Sequence, residues 1–251
     1  KGEFKMANAL EVLQGLRSLK CYDISTHFQT NMPQFSGNPP LYIVPDARTY
    51  EKHNYYCQVL IMGEHSGPHI DAPAHIIPGG KYIDEYAADY FIAPYKKYAF
   101  DTFDPRAGEY LGMDKIKELE ERDGFTLEEG DIVLLQFGWH VYALPDENDE
   151  AKRAYYDQNS PGLTDEVMQY FVDRKVKAVG ADNTNCAIPK KDGKFLQMPP
   201  PDHEKYFLPN GILIMENFGN MTPAPATGIF VAIPLPIDKG SGCPVRPLLF
   251  A

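Results

Sequence analysis

Three of the seven histidines in this 251-residue chain fall within the eleven residues from His65 to His75. With Glu64 before it the stretch reads EHSGPHIDAPAH, and it also carries Asp71. Imidazole nitrogens and a carboxylate oxygen form a donor set for zinc, manganese, iron and other transition ions. No cysteine lies beside them, so Zn²⁺ or Mn²⁺ is the expected ion. His65 and His69 have helical spacing, but Gly67 and Pro68 lie between them and Pro73 follows. Proline removes an amide donor and clashes with the preceding turn, which argues against a helix. In an extended chain side chains two apart point the same way. His69, Asp71, Pro73 and His75 are then expected on one side, with His65 folding back across a turn at Gly67. Three protein ligands leave a position for water, whose pKa a metal lowers from about 15.7 to roughly 7. Asp71 has two oxygens and could bridge a second ion. A purely structural site would be closed by four ligands and lean on cysteine. Cys21, Cys57, Cys186 and Cys243 form no CxxC pair and read as buried free thiols of a reducing compartment.

Several elements must position this stretch. The apolar spacing of Leu10, Leu13 and Leu16 predicts a helix over Met6 to Leu19. YDIS, from Tyr22, starts a strand, and THFQTNMPQFSGNPP is a loop. Tyr55 to Met62 reads as a strand that delivers the chain to His65. MDKIKELEERDG reads as a short surface helix with Ile116 and Leu119 on one face and a stop at Gly124. GDIVLLQFGW reads as a buried strand. The acidic segment from Leu144 to Pro161 is expected to be an exposed excursion. Thr164 can cap a helix whose apolar face is Val167, Met168, Phe171 and Val172. VKAVGAD, GILIMENF and GIFVAIPLPI read as strands, and the Lys- and Pro-rich segment from Pro189 to Pro209 as a long loop. Strands with few helices between them predict one α/β or α+β domain over 6–251. The opening KGEFK, before Met6, is read as an appended remnant without structural weight.

A net charge of −11 with no basic patch argues against nucleic acid and acidic membranes as partners. No apolar run approaches the ~20 residues of a membrane span. The start of the chain lacks a secretory apolar region, so a cytoplasmic protein is expected. There is no GxSxG elbow and no glycine-rich phosphate loop. Cys186, in DNTNCAIP, has no evident base partner.

HSGPHIDAPAH resembles the HxGTHxDxPxH signature of the cyclase family of metal-dependent hydrolases, which includes bacterial kynurenine formamidase and isatin hydrolase. YDIS, MPQFSGNPP, GDIVLLQFGW, VGADN, ENFGN and the closing PLPIDKGSGCPVRPLLFA are similar to further family segments. The resemblance implies an α/β fold of swivelling β/β/α type, with a mixed sheet and few helices. It implies His65, His69 and Asp71 as metal ligands and His75 as general acid/base. It also implies a second ion on Asp71, His203 and Glu216, so one or two ions in all. A glutamate within an apolar strand such as GILIMENF is costly to bury without a partner, and a cation would be one. Pro68 stands where the family usually has threonine, removing a hydroxyl and an amide beside the site.

The expected reaction is hydrolysis of an amide-type C–N bond in a small aromatic or cyclic substrate, with His75 moving a proton near neutral pH. A lactone or other cyclic ester is attacked by the same chemistry. The contrasting reading is a non-catalytic, metal-dependent small-molecule binder. Phe28 and Phe35 in the early loop, and Phe137 and Trp139 after the middle strand, are candidates to line an aromatic pocket. The resemblance further implies a homo-oligomer, dimer or tetramer, with the early loop reaching a neighbour.

Overall fold

The computed structural model describes residues 9–30, 32–143 and 150–251. KGEFK, Met6 and Leu144 lie outside these. A nine-stranded mixed sheet organises the chain. Its spatial order is Cys21–Asp23, Leu248–Phe250, Thr227–Val231, Ile92–Ala99, Ile132–Gln136, Ala178–Ala181, Leu213–Glu216, His69–Asp71 and Gly242–Pro244. The four strands from Ile92–Ala99 to Leu213–Glu216 are mutually parallel, and the flanking pairs are antiparallel. Parallel neighbours need a long crossover. The helices Met113–Asp123 and Asp165–Asp173 provide the first two.

IVLLQ shows why the centre reads as a continuous apolar run. Val133 and Leu135 face one core with Ile116, Leu119 and Phe171, whereas Ile132 and Leu134 face the other with Ile70, Met215 and Phe218. Both faces of a parallel strand are covered, so period-2 alternation disappears. The Met113–Asp123 helix ends as expected, at a left-handed Gly124 with φ 67°. Thr164 occupies the N-cap position of the next helix with extended backbone, but its hydroxyl makes no capping bond.

Other expectations change. The long strand Ile92–Ala99 was not visible in the sequence because Pro94, Lys96 and Lys97 interrupt its pattern. Lys97 is nonetheless buried, its Nζ donating to the carbonyls of Met221 (2.8 Å) and Ala224 (2.6 Å). Part of the acidic segment is not an exposed excursion: Glu150–Gln158 is a helix that buries Tyr156. The first helix spans Ala9–Ser18. The strand before His65, Cys57–Ile61, pairs only with Tyr42–Arg48, outside the main sheet, and all its residues are exposed. The 189–209 loop carries a small hairpin, Lys190–Lys191 with Lys194–Phe195, and a wide, π-helical turn, Asp202–Tyr206. All four cysteines are free, but Cys21 and Cys57 are exposed rather than buried. No described helix is long and apolar enough to cross a membrane.

Candidate metal centre

His69 and Asp71 lie on a three-residue buried strand, two apart and therefore on one face. The neighbouring strand sets Glu216 opposite His69 and Ile214 opposite Asp71. Glu216 is 5 % exposed, inside the site rather than at a wet strand end. The extended run stops there. Pro73–His75 forms a 3₁₀ turn in which the His75 amide donates to Ala72, so a turn, not strand alternation, delivers His75. Gly67 has φ +60°, and a Cβ there would lie 2.8 Å from Phe28 Cζ. That turn brings His65 back onto Asp71.

Hydrogen bonds assign the ring nitrogens. His69 Nδ1 donates to the Gly67 carbonyl at 2.7 Å. Its Nε2 then faces Asp71 Oδ1 at 3.2 Å and Glu216 Oε2 at 3.8 Å. His203 Nδ1 lies 2.7 Å from Asp202 Oδ1, leaving Nε2 at 3.7 Å from Asp71 Oδ2 and 3.9 Å from Glu216 Oε1. Ser241 Oγ donates to Glu64 (2.6 Å) and lies 2.9 Å from His65 Nε2, which leaves His65 Nδ1 at 2.6 Å from Asp71 Oδ1. Each of three imidazoles thus spends one nitrogen on a fixed partner and turns the other onto Asp71. Metal-binding histidines are held in this way, by an outer acceptor that fixes the tautomer.

Charge in the site is shared. Burial pushes the Asp71 carboxyl up, but His69 and His65 outweigh it and hold it well below its ordinary range. Burial, with Asp71 beside it, holds Glu216 well above. Burial also lowers the His203 imidazole, but Asp202 reverses this and raises it well above the usual value. The His75 ring is pushed down to about 4, mainly by burial, rather than lying near neutrality as expected from the sequence, so it stands neutral and able to accept a proton.

Among the described residues two triads each have their donor atoms within 4.8 Å of one another: His65, His69 and Asp71, and Asp71, His75 and His203. They share Asp71. The raised His203 and Glu216 show that protons are shared among these inward atoms, and a divalent cation binds such donors by displacing protons. The donor set therefore fits a divalent cation.

The site opens into a cavity of about 250 Å³. Its outer wall carries Phe35, Phe195, Met198 and Pro200, and its inner wall Asn185 and Thr184. Of the predicted aromatic residues only Phe35 faces it. Phe28 packs against Gly67, behind the ligand turn. Trp139 is in the core, its Nε1 donating to the Asn159 carbonyl and its ring stacked with Tyr155. Phe137 is likewise core. Sequence reasoning missed Glu64, Asp202, Ser241 and Phe195. Only the adjacency of Asp202 to His203 and of Glu64 to His65 was a signal. The Pro68 ring is buried and its carbonyl accepts from the Val245 amide. Burial raises the Cys186 thiol well above its ordinary value, which disfavours it as a nucleophile.

The Cyclase family, described as "Putative cyclase", matches residues 22–187. The chain belongs to this family. Isatin hydrolase of Roseibium aggregatum is 28 % identical over 229 residues, covering 86 % of this chain and 83 % of that protein. Kynurenine formamidase of Bacillus cereus is 24 % identical over 234 residues, covering 93 % and 99 %. The structure of isatin hydrolase A from Ralstonia solanacearum superposes over the full length of both chains with a TM-score of 0.81 at 22 % identity, and so shares the fold.

Proposed function

We propose that this chain is a metal-dependent hydrolase that cleaves an amide-type C–N bond in a small aromatic or cyclic substrate. The observation that carries this reading is the convergence of three tautomer-fixed imidazoles on Asp71 at the floor of a partly aromatic cavity. The related isatin hydrolase and kynurenine formamidase support the same bond class. His65, His69 and Asp71 would hold a first ion, and Asp71, His203 and Glu216 would hold a second; Zn²⁺ or Mn²⁺ suits these donors. When bound, the cation supplies Lewis acidity toward a carbonyl oxygen and toward water.

The chain's own residues do the rest. His75 lines the cavity, its ring 4.0 Å from that of His65 and 6.1 Å from that of His203. It takes a proton from the attacking water and returns it to the departing nitrogen. Asp202, Glu64 and Gly67 O keep the imidazoles turned inward. Phe35 holds the ring of the substrate. Dialysis against a chelator is expected to abolish hydrolysis of isatin and of aromatic formamides, and Zn²⁺ or Mn²⁺ to restore it. Turnover that survives complete removal of metal sinks the reading; turnover of lactones alone moves it to esters.

A homo-oligomer belongs to this proposal. The Tyr42–Arg48 and Cys57–Ile61 hairpin exposes Val59, Leu60 and Ile61 at 46–56 %, on both of its faces. The Ala9–Ser18 helix exposes Leu10 at 70 %. Isolated two-stranded hairpins are marginal in water, and large exposed apolar patches mark interfaces. A second copy supplies the cover. Val59→Glu with Leu60→Glu is expected to convert a dimer or tetramer to monomer in sedimentation velocity. A wild-type protein that sediments as a monomer at tens of micromolar removes this element.

A further inference from the structure

Lys190 is 3 % exposed, although the segment that carries it is a surface loop. Its Nζ stands 5.0 Å from the centroid of Phe35 and 5.0 Å from that of Phe195. These two rings, 6.1 Å apart, are the aromatic part of the cavity wall. They come from segments about 160 residues apart in the chain, and nothing local relates them. Asp157, at the end of the Glu150–Gln158 helix, lies 3.3 Å from the ammonium. The same Asp157 oxygen accepts the Ser36 amide at 3.2 Å, immediately after Phe35. The lysine backbone is pinned too: its amide and carbonyl pair with Ser160, and the hairpin tip is tied by Gly193 to Gln158 and by Asp192 to Asn159.

A buried ammonium is costly, and replacing such a pair with apolar side chains is often neutral or stabilising. A stability role alone therefore explains Lys190 poorly. A cation over two aromatic faces, in contrast, is attracted to both and fixes them relative to each other. We propose that Lys190, held by Asp157, is the positioning residue that sets Phe35 and Phe195 as a pre-formed slot for a flat aromatic ring, and so makes the site selective for aromatic amides. This deepens the hydrolase reading and rests on it. Pre-forming the slot removes an ordering cost from substrate binding, so its effect falls on KM rather than on the chemical step.

The test compares formanilide with N-cyclohexylformamide, two formamides of similar size of which only the first is flat. Lys190→Met keeps the stem and removes the charge. It is expected to raise KM for formanilide about tenfold, with kcat within about twofold and with the cyclohexyl substrate unaffected. Lys190→Arg, which retains the charge, is expected to restore KM. Metal content and melting temperature of each variant report the fold. Equal rises for both substrates, or no rise for either, overturn the proposal. If Lys190→Met does not fold, Asp157→Asn is read by the same split. A wild-type enzyme that hydrolyses neither compound, nor isatin, defeats the hydrolase reading separately. The slot is then read by calorimetry: formanilide binding weakened in the variant upholds it, and equal binding, or none to wild type, overturns it.

Discussion

His69→Ala is expected to leave the purified protein nearly free of metal and to abolish hydrolysis. His69 is 1 % exposed, sits opposite Glu216 in the sheet, and directs Nε2 at Asp71 because Nδ1 is committed to the Gly67 carbonyl. Every residue of that strand is buried. If the cation contributes about 4 kcal/mol to the transition state, its loss slows turnover about 10³-fold. The thermal transition should fall as well, because an ion present at about 1,000 times its Kd adds roughly 4 kcal/mol to the folded state. Elemental analysis of wild type and variant measures this directly. Wild-type content near one or two equivalents of Zn or Mn, with the variant below a tenth, is the expected result. A metal-free wild type that gains neither stability nor activity from added ions would return these histidines to ordinary structure.

His75→Gln separates catalysis from ligation. His75 reaches the cluster on a 3₁₀ turn instead of the ligand strand, and its ring lies beside those of His65 and His203. Glutamine roughly preserves its size and polarity but cannot carry a proton between water and a leaving nitrogen. General acid–base catalysis by one positioned side chain is worth about 10²–10⁴-fold. The variant is therefore expected to keep the wild-type metal content and melting temperature while kcat falls by about 10³. The opposite pattern, metal lost together with turnover, would make His75 a ligand, consistent with its place in the donor triad with Asp71 and His203. Full activity would remove it from the mechanism.

The donor-rich stretch was legible because its information is local. Gly67, Pro68 and Pro73 argue against a helix, and two-residue spacing puts His69 and Asp71 on one face whatever the rest of the chain does. Glu216 was legible only through the family resemblance, with the cost of burying a lone carboxylate in an apolar strand as support. Where local pattern and tertiary demand disagreed, the pattern lost. Lys97 is buried in mid-strand because two carbonyls from a distant loop accept its ammonium. Tyr156 draws the Glu150–Gln158 part of the acidic segment into the core. Trp139 and Phe137 are aromatic residues in the right neighbourhood of the sequence, yet core packing claims both.

By itself, then, the chain's order determined the donor types, the extended ligand strand and the family to which they belong. Only the tertiary structure decided the rest. It set Glu216 opposite His69 by strand register, turned three imidazoles inward through Gly67, Asp202, Glu64 and Ser241, and joined Phe35 to Phe195 across a buried lysine. These relations depend on which distant segments meet, and hydrogen-bond direction and ring position are settled only when they do.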